Sequence, residues 1–520
     1  MAKRFNITGT CIPAKHYMAD VSKKLQAILR MVEDGAYFTI NRPRQYGKTT
    51  MLMGITQALN QKPGYLAIRI SFEGIGDDVF EDEKSFCPAF LRQLSIGART
   101  ITEVWSNWLL EQANEVQSLE ELSNSISYWV KKTDLKVVIL IDEVDKSSNN
   151  QLFLSFLGVL RQKYLNSQEN LDTTFHSVIL AGVHDVKSLK LRLRPNEEMK
   201  YNSPWNIATD FKVDLSLFPA EIKPMLEDYA AEKNVQMDTQ AIAEHLFYYT
   251  SGYPFLVSKL CKMLDEELLP GAAEWKNEDV DLAVSQLVRE TNTNFESLIK
   301  NLEHHEGLYH LVFSIAIEGN RIPFNIHLPD IALGVMYGVF AQSDQLRIHN
   351  RIYQEIIYNY MSLKMQTGLQ GLDNYTFTNN YVLPGNQLDM SKLALRFQAF
   401  MKEQYSVKDR DFLERQGRLI FLAFLKPILN GSGFDFKEPQ ISEERRLDVA
   451  ITFFNHKYII ELKIWRGEAA HEAGLQQLAA YLDLQGLQEG SLIIFDHKGV
   501  KNWNQEVYEV AGKKIFAVWV

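Results

Sequence analysis

The stretch "TINRPRQYGKTTML" (residues 39–52) decides how the first half of the chain is read. It closes like a phosphate-binding loop, with Gly47, Lys48 and Thr49, but Arg42 stands where the pattern G-x-x-x-x-G-K-[ST] opens on glycine. Upstream, Gly35 punctuates the chain and "AYFTI" (36–40) is a short apolar, β-prone run; downstream, "TTMLMGITQALNQ" (49–61) reads as helix. Strand, loop and helix therefore come in the order that a phosphate cradle needs. The amino end of a helix offers free N–H groups and a positive dipole end, and Gly47 lets the backbone close around a phosphate. In that arrangement Lys48 reaches the β/γ-phosphates of ATP and the Thr49 hydroxyl holds Mg²⁺. The expected nucleotide-contacting run is Gln45, Tyr46, Gly47, Lys48, Thr49 and Thr50.

A second stretch supports the first. "KVVILIDEVDK" (136–146) is a continuous apolar run suited to a buried parallel strand, and it ends on Asp142 and Glu143, where open α/β sheets bind ligands. Asp142 is expected in the Mg²⁺ shell and Glu143 as the group that polarises the attacking water. Further strands are expected at "YLAIRISF" (65–72) and "HSVILAGV" (176–183), with a helix in "FLSFLGVLRQKYL" (153–165), so the fold class is α/β with a parallel sheet covered on both faces. His184 and Asp185 stand either as a sensor of the γ-phosphate or as a plain turn. Arg192 and Arg194 stand either as a charge finger for a neighbour or as exposed loop residues.

Composition sets outer limits. A chain of 520 residues exceeds one core and predicts two or three domains; 46% hydrophobic and 23% charged residues fit packed domains. The formal charge of −10 argues against indiscriminate coating of nucleic acid but allows a local basic groove. Cys11, Cys87 and Cys261 form no C-x-x-C and suit a reducing compartment. The opening residues lack the apolar core of a signal peptide and no stretch reaches a membrane span, so a cytoplasmic protein without membrane contact is expected.

Taken together, "HYMAD", "YFTINRPRQYGKTT", "LIDEVDK", "SPWNIATDF" and "TSGYPFLVSKLC" resemble the AAA-like ATPases of the STAND group, in the bacterial branch whose loop reads R-P-R-x-[YF]-G-K-[ST]. The resemblance covers about residues 1–370. It implies an ATPase core over 1–215, a helical lid over 216–300 and a winged-helix-like segment over 301–370. It also implies that Arg42 is compatible with a working site, that Pro254, after Gly252, lies in the lid against the adenine, and that ATP binding can drive homo-oligomer formation. In the winged-helix segment, Arg347 and Arg351 make no dense basic stripe.

A Gly-, Asn- and Thr-rich stretch is read as a linker over 371–395, before a smaller α/β domain at 396–520. There "ERRLDVAITFFNHKYIIELKIW" (444–465) holds two β-like runs flanking "NH", a hairpin turn. Side chains alternate faces along a strand, so Glu461 and Lys463 project together, and Asp448 at the head of the preceding strand can meet them. Two carboxylates can hold Mg²⁺ on a scissile phosphate while a lysine positions water. The D…E-x-K pattern resembles the PD-(D/E)XK nuclease superfamily, and Gln477 and Tyr481, four apart on the helix expected over 471–486, resemble its RecB-like branch. That resemblance implies a restriction-endonuclease-like fold, adds Glu414 to the metal ligands, and makes nucleic acid the partner, DNA before RNA. An ATP-binding scaffold with a non-cutting nuclease fold and a DNA-binding regulator acting through the winged helix are the rival readings.

Overall fold

The computed structural model describes residues 3–147, 151–183, 205–316, 322–368, 381–384, 387–404, 421, 424–425, 435–436, 449–453, 456–465, 467–496 and 503–520. Four strands, β1 (Phe38–Asn41), β2 (Tyr65–Ser71), β3 (Lys136–Asp142) and β4 (Ser177–Gly182), form a parallel sheet in the order β1-β4-β3-β2. Thr209 extends it by one parallel bridge on the free edge of β1. The crossovers leave β3 and β4 buried on both faces, which is why they read as unbroken apolar runs. Alternate residues serve two cores. Val138, Leu140, Ile179 and Ala181 pack with α1 (Ser22–Glu33) and α2 (Lys48–Asn60). Val137, Ile139, Ile141, Val178 and Leu180 pack against α3 (Glu83–Ala98), α4 (Glu103–Glu115), α5 (Leu119–Thr133) and α6 (Gln151–Gln168).

A helical segment follows, made of α7 (Pro219–Lys233), α8 (Thr239–Thr250), α9 (Pro254–Met263) and α10 (Asn277–Leu287). It is followed by α11 (Thr293–His304), α12 (Glu306–Ala316) and α13 (Pro329–Met336). A short antiparallel pair, β5 (Phe340–Ala341) with β6 (Arg347–Ile348), then leads into α14 (Arg351–Gly368). One hydrophobic cluster runs from Phe5 through Ile222, Leu256, Leu308 and Phe340 to Met361, so helices α7 to α14 share a core with one face of the parallel sheet.

The C-terminal domain has its own cores. A hairpin, β7 (Val382–Leu383) with β8 (Gln387–Leu388), precedes α15 (Met390–Gln404), and Leu388, Leu393 and Ala394 are buried with Phe397 in that core. The packed domain therefore begins inside the stretch read as a 371–395 linker: a residue-poor hairpin carries no helical stripe, yet its Leu388 is buried. The sheet orders β13-β14-β12-β11-β10-β9, with β9 (Asp435–Phe436), β10 (Val449–Phe453), β11 (His456–Ile464), β12 (Glu489–Phe495), β13 (Gln505–Val510) and β14 (Lys513–Trp519). Phe453 pairs with His456, so His456 belongs to β11 and not to the turn expected at "NH". Helix α16 (Glu468–Leu484) connects the parallel pair β11 and β12 and covers one face, while α15 covers the other. Among the described residues no helix is long and apolar enough to cross a membrane.

Candidate functional site

The phosphate-loop backbone is shaped by two left-handed residues. Gln45 has φ 57° and Gly47, which caps α2, has φ 80°. Glycine adopts this conformation at little cost, which is why Gly47 is indispensable here and the position of Arg42 is not. Arg42 lies just past β1, where its N–H continues the β1–β4 pairing onto the Gly182 carbonyl at 3.2 Å. Its guanidinium turns away from the loop: it donates to the carbonyls of Asn41 (2.8 Å) and Val213 (2.6 Å) and lies 5.3 Å from the centre of the Phe211 ring. Burial pulls its pKa down. Arg42 thus straps the 211–213 segment to the base of the loop.

Lys48 is 5% exposed, and its Nζ donates to the carbonyls of Arg42 (3.0 Å) and Pro43 (2.9 Å). Burial lowers its pKa, opposed by the carboxylates of Glu143, Asp145 and Asp142 that face it from the end of β3. Asp142, 3% exposed, ends β3, and Glu143 follows in a left-handed conformation (φ 54°) that side chains other than glycine adopt at a cost. Burial raises the Glu143 pKa, opposed by Lys48, which suits a group that takes a proton from water. Asp145 accepts from the Val183 N–H at 2.5 Å and ties the ends of β3 and β4 together. The structure thus brings Gly47, Lys48, Asp142 and Glu143 to the carboxyl end of the sheet's strands.

Two members of the expected nucleotide-contacting run have side chains engaged elsewhere. The Thr50 hydroxyl accepts from the Cys11 N–H at 3.1 Å. Tyr46 is buried with its hydroxyl between Ser216 Oγ (2.7 Å) and His349 Nε2 (3.1 Å), its ring edge-on to Tyr253. The helical segment after the sheet meets the loop at four further points. Tyr253 donates to the Arg44 carbonyl at 2.6 Å. Asn294 donates to Gln45 Oε1 at 2.9 Å and accepts from the Tyr353 hydroxyl at 2.6 Å. A Cβ on Gly338 would stand 2.8 Å from Pro43, and one on Gly47 would stand 4.0 Å from Pro254. Pro254, expected at a break in the helical run, is the first residue of α9, after the left-handed Ser251 and Gly252. Sequence reasoning missed Asn294 and His349, whose loop partners lie 249 and 303 residues away, and Tyr353, which acts through Asn294; none leaves a local signal.

In the C-terminal domain Glu461 and Lys463 project from the same face of β11, toward α16, as their spacing requires. Glu461 is 2% exposed, and Lys463 Nζ lies 2.9 Å from its Oε1. Gly474 of α16 leaves room for that lysine, since a Cβ there would stand 2.5 Å from Nζ. Gln477 and Tyr481 follow at one and two turns on the same helix; Tyr481 is buried and its pKa rises to about 12 by burial. Val449 pairs with Ile460, which brings the start of β10 beside Glu461. Asp448, Glu414, His184, Asp185, Arg192 and Arg194 lie outside the described residues. Among the described residues no group of three or more His, Cys, Asp or Glu gathers as a metal cage.

Parallel sheet, glycine-capped helix, buried lysine and the acidic end of β3 define a nucleotide-binding P-loop module of AAA-like ATPase type. Residues 12–270 match the family described as "AAA-like domain". An uncharacterised WD repeat-containing protein of Synechocystis sp. is 22% identical over 366 residues, 67% of this chain and 29% of that protein, so the chain spans less than a third of that relative's length. Among solved structures, the ORC2 protein of Aeropyrum pernix in its ADPNP–ADP complexes is 13% identical, covering 69% of this chain and 97% of that one, with a TM-score of 0.36. The RuvB Holliday junction branch migration motor of Thermotoga maritima is 16% identical, covering 67% and 95%, with a TM-score of 0.35.

Proposed function

We propose that the chain is an ATP-hydrolysing switch of the STAND kind whose nucleotide state controls a Mg²⁺-dependent phosphodiesterase site in the C-terminal domain, with DNA favoured over RNA as the partner and ATP-driven self-assembly as the means. The observation that carries the switch is the closure of lid and winged helix on the phosphate loop itself: Tyr253, Asn294, Gly338 and His349 all meet residues 43–46. A loop that rearranges around phosphate must alter these contacts, so occupancy and domain arrangement share one free energy.

The residues fit the chemistry. Lys48 meets the phosphate charge, Asp142 and Thr49 would hold Mg²⁺, and Glu143, its pKa raised by burial, accepts the proton of the attacking water. In the second site Asp448, Glu461 and Glu414 would hold Mg²⁺, which when bound stabilises charge on the scissile phosphate. Lys463 is held at 2.9 Å by Glu461 and polarises the water, while Gln477 and Tyr481 flank the site from α16. Arg351 lies 3.9 Å from the centre of the Tyr248 ring and is engaged within the molecule, which weighs against DNA reading by the winged helix.

The test uses purified full chain, Mg²⁺, ATP and labelled single- and double-stranded DNA and RNA. Lys463→Ala is expected to abolish cleavage and keep ATP binding; Lys48→Ala is expected to weaken ATP binding at least about tenfold and with it the ATP dependence of cleavage. Parent protein that cuts nothing and matches Lys463→Ala under every condition would sink the phosphodiesterase.

A further inference from the structure

Beyond the ion pair on β11 lies a cavity of about 350 Å³ lined by Lys463, Ile464, Trp465, Ala470, His471 and Ile494. Lys463 belongs both to this cavity and to the ion pair with Glu461. The other polar and aromatic liners have no part in the chemistry assigned above. Trp465 and His471 are both partly exposed, with ring centres 5.4 Å apart. Behind them His471 meets Trp519 at 5.6 Å and Tyr508 at 5.2 Å, and Trp465 meets Trp519 at 6.2 Å. Four rings thus back one wall, and the two that line the cavity are held at fixed angles by the two behind. Such a wall presents rigid π-surface with little ordering cost.

A second observation points to a ligand with hydrogen-bonding edges. His471 Nε2 is sealed from solvent and has no partner among the described residues. An enclosed polar nitrogen without a partner is costly, and a turn of the partly exposed His471 ring would bring it to a ligand group in the cavity. The volume lies at the small end of the range for small-molecule pockets, which fits a single flat ring system and its sugar better than a larger ligand. Trp465 follows Lys463 by two residues on the same face of the sheet, about 6.6 Å along the strand. That span is comparable with the reach from a nucleobase to the phosphate of its own nucleotide.

We infer that the cavity bounded by Trp465 and His471 takes one unstacked nucleobase of a single-stranded nucleic acid, holding the adjoining phosphate against Lys463. The inference rests on the phosphodiesterase reading of Glu461 and Lys463, and it makes the substrate a single strand or a frayed end. A paired base cannot enter such a cavity without leaving its stack. Because every base has a π-face, recognition by this wall is tolerant of sequence.

The experiment measures binding of a fluorescein-labelled oligothymidylate by anisotropy, with EDTA present so that the strand stays intact. The same strand with abasic sugars and a duplex of equal length serve as comparisons. The full chain is expected to bind the thymine strand at least about tenfold more tightly than the abasic strand or the duplex. Trp465→Ala and His471→Ala are expected to bring the thymine-to-abasic ratio close to one, and Trp465→Phe, which keeps a ring, to retain most of it. Equal affinity for thymine and abasic strands in the parent overturns the inference, as does a ratio unchanged in both alanine variants. The two readings fail separately. If base discrimination holds while Lys463→Ala cleaves like the parent, the cavity stands as a binding site and the phosphodiesterase falls; if no strand binds while cleavage still depends on Lys463, the cavity falls and the phosphodiesterase stands.

Discussion

Arg42 occupies the position where the phosphate-loop pattern opens on glycine, yet its guanidinium is spent on Asn41, Val213 and Phe211. Its removal should therefore act on stability before affinity. Arg42→Ala is expected to lower unfolding free energy by about 1–3 kcal/mol, the range for losing charged hydrogen bonds to carbonyls. ATP affinity measured by a fluorescent analogue should fall far less than in Lys48→Ala, where a loss of at least about tenfold is expected. His349 supplies a pH signature. Its pKa is pushed from 6.5 down to about 4 by burial, with Arg347 adding to the shift and Asp214 opposing it. The unfolded chain then binds the extra proton first. His349's contribution is complete above pH 6.5 and is lost as pH falls toward 4, a change on the order of 2 kcal/mol. Urea titrations at pH 7 and pH 4.5 should show the parent losing more stability than His349→Gln by about that amount. At this scale the sequence shows that Glu461 and Lys463 share a face, because alternation along one strand sets it. It hides Asn294 and His349, whose role exists only once distant segments meet.

Two glycines carry the elements into place, and their substitution separates fold from function. Gly474 of α16 faces the flexible end of Lys463, with Nζ 2.5 Å from an added Cβ. Gly474→Ala should leave stability within about 1 kcal/mol, since the helix gains propensity while only a side-chain tip must move. Moving Lys463 off Glu461 should cost cleavage about 10- to 100-fold, read in the nuclease assay beside a melting curve. Gly252 is the opposite case. At φ 73° between α8 and α9 it faces the Leu217 backbone carbonyl, 2.3 Å from an added Cβ. Gly252→Ala should destabilise by more than about 2 kcal/mol in urea unfolding, because neither the conformation nor the backbone can yield. The β-α-β elements around the loop are legible from their apolar runs. Strand β13 is not: Gln505, Glu506 and Val507 are exposed alike, so no alternation marks it, and only its pairing with β14 makes it a strand. Helix α5 carries a readable sign in the capping box of Ser118 and Glu121, but nothing in the sequence says that α3 to α5 stand between neighbouring strands.

Across the whole chain, the hydrophobic clusters fall into two sets that share no residue: one spans Phe5 to Met361 with the second face of the ATPase sheet, the other Leu388 to Val520. Calorimetry of the full chain should resolve two transitions. ATP at about 100 times its dissociation constant should raise the one belonging to the ATPase module by about 2.7 kcal/mol and leave the other in place. That one cluster joins helices α7 to α14 to the sheet is not legible in the sequence, because periodicity shows which face of each helix is apolar but not which partner covers it. The helical insertion between β2 and β3 has a bearing on how the chain is built. Those strands pair along their whole lengths, Tyr65 with Lys136 through Ser71 with Asp142, although three helices separate them. Closing so long a loop from disordered chain is entropically expensive. Ser95 and Ser106, exchanging hydrogen bonds between α3 and α4, are near neighbours in sequence, so that hairpin can nucleate as soon as it leaves the ribosome. A prefolded spacer then delivers β3 to its berth, and the acidic tip that faces Lys48 arrives already aligned.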